Sequence, residues 1–95
     1  MIFNNVILRV SNPEDTNQIQ ALLIQQATIS KKEIGCERFE VYQSQSDREL
    51  FFLIEQWESE EALDAHRKTE NFLNVYMTEV VPKVQREPHL SSKLI

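Results

Sequence analysis

A glutamate, a tryptophan and a histidine in the middle of the chain are of the types that could carry out acid–base chemistry on a small molecule. Glu55 and Trp57 close an apolar run, and His66 follows on the next predicted helix. A neutral imidazole can accept a phenolic proton near neutral pH, because the ordinary pKa of histidine lies close to that range. Trp57 offers a flat apolar surface to a planar molecule. These residues predict a site with His66 as the base and Trp57 beside it.

Each of these residues also has a purely structural interpretation. His66 can bond a backbone carbonyl and steady the turn that follows it, and Trp57 can be part of the core. A buried Glu55 needs a partner, for which Arg9, Arg38 or a backbone amide is available. We expect a structural role for Glu55, while His66 and Trp57 are the catalytic candidates.

Three further residues are candidates for contacting a bound molecule. Asn4 lies in the first predicted strand, where asparagine is unfavourable unless its amide is hydrogen-bonded. It can bind a substrate oxygen or face water at an edge. Phe72 and Tyr76 are one helical turn apart and are expected to line a cavity together. Phe72 can equally be core, whereas the Tyr76 hydroxyl needs a partner that a ligand can supply.

The composition of the chain excludes several classes of protein. Its 95 residues are 41% hydrophobic and 26% charged, which predicts one globular domain over residues 1–95. The net charge of −5 argues against a nucleic-acid partner. No apolar run approaches the length of a membrane span, and the first residues lack a signal-peptide pattern. We therefore expect a cytoplasmic protein without a membrane partner.

The same composition leaves little room for a bound cofactor. Gly35 is the only glycine, so glycine-rich loops that cradle nucleotides cannot form. The two histidines and Cys36 do not have the spacing of metal ligands, and a single cysteine rules out an internal disulfide. We expect neither a metal nor a tightly bound cofactor.

The elements that position these residues can be read from the hydrophobic pattern. Strands are predicted over 2–10, 36–43, 49–57 and 89–95, the middle two forming an antiparallel hairpin. The first helix begins at Ser11 or Asn12 and ends at Gly35; two later helices begin at Ser59 and Thr69. This order predicts an α+β, ferredoxin-like fold, a four-stranded antiparallel sheet with helices on one face.

The third predicted strand carries information about assembly. Residues 50–54 are all apolar, so both faces of this strand favour burial. Helices cover only one face of such a sheet, and a second copy of the chain would cover the other. We therefore expect a homodimer.

Three segments of the chain resemble the antibiotic-biosynthesis-monooxygenase family. The similarity lies in residues 33–42, 52–66 and 69–72: a Gly-Cys start of the second strand, Glu-x-Trp closing the third, and Ala-x-x-x-His on the next helix. It implies a dimeric α+β barrel with a pocket between sheet and helices. Members of this family include cofactor-independent monooxygenases of quinols and phenols, haem-degrading enzymes, and other small-molecule enzymes.

Departures from the family patterns narrow this choice. The haem-degrading branch has a histidine where Tyr76 lies here and a tryptophan in place of His66, and the polyketide branch differs at Leu53 and Leu63. The quinol-oxidising branch is the most similar. The resemblance thus implies a monooxygenase that oxidises a small quinol- or phenol-type aromatic with molecular oxygen. The alternatives are a non-redox isomerase or decarboxylase, and a non-catalytic ligand-binding stress-response protein.

Overall fold

A computed structural model describes all 95 residues and contains one four-stranded antiparallel sheet in the order β2-β3-β1-β4. Helices lie on one face of this sheet, so the predicted ferredoxin-like α+β fold is confirmed. The elements in chain order are β1 (Ile2–Val10), α1 (Thr16–Ser30), β2 (Cys36–Gln43), β3 (Leu50–Trp57), α2 (Glu60–His66), α3 (Phe72–Val80) and β4 (Val84–Ser91). None of the helices is both long and apolar enough to span a bilayer.

The central strands β1 and β3 set the register of the sheet. Asn4 pairs with Glu55 and Val6 pairs with Leu53, so one parity of both strands points to the helices. The predicted hairpin of β2 and β3 is also confirmed. This register places the polar pair Asn4 and Glu55 in an otherwise apolar layer.

The first helical segment is capped by Asn12, one of the two predicted starts, but the helix ends earlier than predicted. The Asn12 side chain accepts a hydrogen bond from the backbone of Glu14 and caps a 3₁₀ turn over Pro13–Asp15, which leads into α1. The helix ends at Ser30, and its final carbonyls bond the amides of the following turn. Gly35 has φ of 85° but lies in the turn directly before β2 instead of capping α1, so the predicted helix end is wrong.

The third helix is wound more loosely than an α-helix. The Thr69 side chain accepts a hydrogen bond from the Phe72 amide, as the sequence predicts, and Phe72–Val80 then has the i→i+5 pairing of a π-helix. Tyr76 and Val80 are buried, whereas the apolar residues Leu73 and Met77 are exposed. The wider turn of a π-helix brings residues four apart in the sequence, here Tyr76 and Val80, onto the side that faces the core.

The last strand lies earlier in the chain than predicted. It spans Val84–Ser91 instead of 89–95, and Pro88 sits inside it, opposite Val6. Proline is tolerated here because β4 is an edge strand, where a backbone N–H that points away from β1 needs no ladder partner. Because of this proline and the charged residues around it, β4 lacks the apolar alternation from which a strand is predicted.

The two faces of the sheet differ in their burial. Along β3, Phe51, Leu53, Glu55 and Trp57 are buried beneath the helices, while Leu50, Phe52 and Ile54 on the other parity are only partly buried. No other element of this chain covers that second face. The main core lies under the helices and consists of Val6, Leu8, Val10, Ile19, Leu23, Phe51, Leu53, Tyr76 and Val80.

Candidate functional site

An open cavity lies where α3 passes over the β1 and β4 side of the sheet. Its volume is about 540 Å³, within the usual range for small-molecule sites. The lining combines apolar groups with two arginines and one amide and contains no acidic side chain. The lining residues are Asn4, Arg67, Phe72, Met77, Arg86, Pro88 and Leu90.

Asn4 is the polar side chain that β1 contributes to this cavity. It is 3% exposed, and its Oδ1 has no hydrogen-bond partner. A buried acceptor without a donor is costly, which makes Oδ1 a natural point for a ligand hydroxyl or a water molecule. Asn4 is therefore buried and does not face water at an edge, while its role in binding a substrate stays a prediction.

Glu55 lies beside Asn4 and is held by an aromatic donor. The Trp57 indole N–H donates to Glu55 Oε1 over 3.0 Å. Burial raises the pKa of the Glu55 carboxyl above its ordinary value, and the hydrogen bond from Trp57 offsets part of that rise. Glu55 is thus a buried acid whose neutral form is favoured by its surroundings.

The predicted cationic partners of Glu55 are wrong. Arg9 pairs with Asp47 at 2.6 Å, and Arg38 pairs with Glu40 at 2.8 Å, all at the surface. Both arginines lie on the sheet face opposite to Glu55, as the strand register requires. The sequence separation between these arginines and Glu55 does not show on which face of the sheet each side chain lies.

His66 is the last residue of α2 and lies in an aromatic cluster behind the cavity. The helix is capped by Ser59, whose Oγ accepts from the Ala62 amide. His66 is 3% exposed, with ring centroids 4.5 Å from Trp57 and 5.2 Å from Phe72. It is therefore turned toward the sheet, but it does not line the cavity.

The His66 imidazole has an acidic partner that the sequence did not indicate. Its Nδ1 lies 2.7 Å from Glu33 Oε1, in the connection between α1 and β2. Glu33 is separated from His66 by a long stretch of chain, so only the fold brings the two together. This contact fixes the orientation of the ring against Trp57.

Tyr76 and Arg86 form a second polar pair at the cavity. The buried Tyr76 hydroxyl accepts a hydrogen bond from Arg86 Nε over 2.9 Å, and the guanidinium carbon lies 5.8 Å from the ring centroid. Burial raises the pKa of Tyr76, and the charge of Arg86 offsets part of that rise. Sequence reasoning missed Arg86 because β4 was placed too late, and it missed Arg67 because nothing in the helix pattern marks that residue.

The structure thus brings the predicted site residues into one region but in different roles. Asn4 and Phe72 line the cavity, and Tyr76 holds Arg86 at its wall. Trp57 and His66 pack behind Phe72. No group of three His, Cys, Asp or Glu side chains is placed to hold a metal ion. Burial raises the pKa of the Cys36 thiol to about 11, so this group is protonated at neutral pH.

The fold is that of a small α+β protein, and the cavity between its sheet and helices has a volume usual for small-molecule sites. Residues 1–76 match the sequence profile of the family described as "Antibiotic biosynthesis monooxygenase", and the chain belongs to this family. Family membership supports a monooxygenase-like function.

Similar proteins agree with this assignment. The chain is 36% identical over 62 residues to "Putative monooxygenase Rv0793" of Mycobacterium tuberculosis, a match that covers 65% of this chain and 60% of that relative. A protein of Bacteroides thetaiotaomicron described as "Possible Oxidoreductase" has a TM-score of 0.87 at 27% identity, covering 95% of this chain and 94% of its own. The Rv0793 structure has a TM-score of 0.80 at 24% identity, with 98% and 97% covered, which supports the fold alone.

Proposed function

We propose that the protein is a cofactor-independent monooxygenase that oxidises a small quinol or phenol with molecular oxygen in the cavity beneath α3. The observation that carries this proposal is the cavity of about 540 Å³ lined by Asn4, whose buried Oδ1 has no hydrogen-bond partner. That oxygen can accept the phenolic O–H while the Phe72 ring packs on the aromatic plane. With a quinol, one oxygen atom enters the ring and the other leaves as water, and all the electrons come from the substrate.

In this proposal His66 is the base that takes the phenolic proton, and in that step the substrate oxygen gives up its hydrogen bond to Asn4. The contact of His66 with Glu33 favours the tautomer with the proton on Nδ1, which leaves the Nε2 lone pair as the acceptor. Because Phe72 contacts His66 and also lines the cavity, proton transfer requires the Phe72 ring to move or a water molecule to pass beside it. Trp57 packs against the imidazole at an interplanar angle of 36° and restricts its movement.

Oxygen uptake with reduced naphthoquinones tests this assignment. We expect His66→Ala to lower the rate about 10²–10⁴-fold, the usual contribution of a positioned base. The matched control is His89→Ala, because His89 is the other histidine, is exposed and does not line this cavity. Equal rates for wild type and His66→Ala would reject His66 as the base. No oxygen uptake by the wild type with any reduced quinone or phenol would reject the monooxygenase.

A non-redox isomerase or decarboxylase acting on an oxygenated metabolite is the second candidate. Arg67 and Arg86 on the cavity wall favour it, since such reactions develop negative charge that cations stabilise. Product formed at equal rate with and without oxygen would select this candidate. The non-catalytic alternative lacks comparable support, because neither Trp57 nor Tyr76 fills the cavity.

We further propose that two copies of the chain, each one domain over residues 1–95, form a homodimer through the uncovered face of the sheet. Leu50, Phe52 and Ile54 are aligned on this face, and Ile7 of β1 pairs with Phe52. Burying each of these side chains would contribute about 1.5–3 kcal/mol. The cavity lies on the other side of the sheet, where such a dimer leaves it open.

A further inference from the structure

We infer that the substrate of this cavity is an anionic hydroxyarene, whose acidic group is bound by Arg86 and Arg67 and whose hydroxyl is bound by Asn4. This inference rests on the proposed function, which it narrows from quinols and phenols in general to aromatic hydroxy acids. It is carried by the distribution of charge, donors and acceptors around the cavity.

The cavity is positive although the chain is negative. The chain has 15 acidic and 10 basic residues, yet the cavity lining has two arginines and no acidic side chain. An acidic protein that places only cations in a concave site attracts anions there, because the low-dielectric walls strengthen the local field. A neutral apolar substrate would not require either arginine.

Arg86 is held in place by one hydrogen bond and has further N–H donors that are not used within the chain. Its Nε donates to the Tyr76 hydroxyl over 2.9 Å, and it forms no ion pair within the chain. The terminal N–H groups of the guanidinium are therefore available as a fork for a carboxylate. Tyr76 is 2% exposed, so the anchor of this arginine is rigid.

Arg67 adds a second cation that is only weakly engaged. It follows directly after His66 at the end of α2, and the one carboxylate within 4 Å of its guanidinium is that of Asp64, with the nearest atoms 3.9 Å apart. Both side chains are exposed, and such a pair contributes little. Arg67 can therefore turn to an acid bound at Arg86 with little loss.

Asn4 requires the ligand to bring a donor as well. The unpaired atom is Oδ1, an acceptor, which a carboxylate cannot satisfy and a hydroxyl can. The rest of the lining is apolar and suits an aromatic ring; it consists of Phe72, Met77, Pro88 and Leu90. One ligand with a hydroxyl and an acid on a flat aromatic frame satisfies all three polar groups.

Calorimetric titration of the intact protein at neutral pH tests the ligand class with three probes. These are 6-hydroxy-2-naphthoate, with both groups, 2-naphthoate, with the acid alone, and 2-naphthol, with the hydroxyl alone. We expect the hydroxy acid to bind at least about 10-fold more tightly than either of the others, since each lacks one group that the site pairs. Raising the salt concentration should weaken binding of the two acids only.

Variants assign the binding to the named residues. Arg86→Gln should weaken the two acids about 10- to 100-fold and leave 2-naphthol unchanged, while Arg67→Gln should have a smaller effect of the same kind. Asn4→Leu should weaken the two hydroxyl-bearing probes. The control is Arg48→Gln, which removes the same charge from an exposed arginine that bonds Asn17 outside the cavity. Far-ultraviolet circular dichroism confirms that each variant is folded.

The outcomes separate this inference from the proposed function. Equal affinity for 2-naphthol and the hydroxy acid, unaltered by Arg86→Gln, would overturn the anionic class but leave the cavity as an oxygenase site for neutral phenols. Binding of none of the three probes would also reject the anionic class. The oxygen-uptake assay with neutral quinols then decides independently whether the protein is an oxygenase.

Discussion

The Glu55 carboxyl links the chemistry of the site to the stability of the fold. It is 5% exposed and has an indole N–H as its hydrogen-bond donor, while Arg9 and Arg38 lie on the other face of the sheet. Burial raises its pKa, so the folded state binds this proton more tightly than the unfolded state does. The resulting stabilisation is fully present below the ordinary carboxyl pKa and is lost as the pH rises through the raised value.

Replacing Glu55 by glutamine should therefore stabilise the protein at neutral pH. The amide oxygen can still accept from the Trp57 indole, and no charge has to be buried. We expect Glu55→Gln to raise Tm at pH 8 by on the order of 5 °C, with the difference vanishing toward pH 4. Differential scanning calorimetry across this range measures it. Exposed Glu79→Gln is the control, and a Glu55→Gln protein that is less stable at pH 8 would contradict the prediction.

At the scale of elements, the connection from α1 to β2 packs directly against α2. Gly35 has φ of 85°, and a Cβ at this position would lie 2.5 Å from the Ala62 Cβ. The Gly35 carbonyl also accepts from the Glu58 amide over 2.7 Å, which binds the start of α2 to this connection. The same connection carries Glu33 to His66, so its geometry sets the position of the imidazole.

Gly35→Ala should accordingly destabilise the fold by about 2–5 kcal/mol, from a strained φ together with the overlap at Ala62. Ala62→Gly removes the overlap but costs about 1 kcal/mol in the helix. The double variant should be more stable than the sum of the two single losses by about 1–3 kcal/mol. Urea unfolding of the four proteins gives this coupling free energy. Strict additivity would show that φ strain alone accounts for the loss.

At the scale of the whole molecule, the sequence predicts those features that local pattern determines. The strand bounds of β1 and β2, the caps at Ser59 and Thr69, and the sheet architecture follow from alternation and capping chemistry. The π-helical winding does not, since the apolar residues of α3 are compatible with i→i+4 or i→i+5 pairing and tertiary packing selects between them. Arg86 and Glu33 enter the site through tertiary packing, which no sequence spacing expresses.

The uncovered sheet face gives the last prediction. Phe52 lies at its centre, paired with Ile7 on one side and Tyr42 on the other. If two such faces pack together, a lysine here would bury a charge against apolar side chains, and the dimer would dissociate. Sedimentation equilibrium at about 10 µM, where a near-obligate dimer stays associated, tests this. We expect twice the chain mass for the wild type and one chain mass for Phe52→Lys. Ile24 is 56% exposed on the outer side of α1, so the Ile24→Lys protein should remain dimeric. A monomeric wild type would refute the dimer, and a dimeric Phe52→Lys would move the interface to another face.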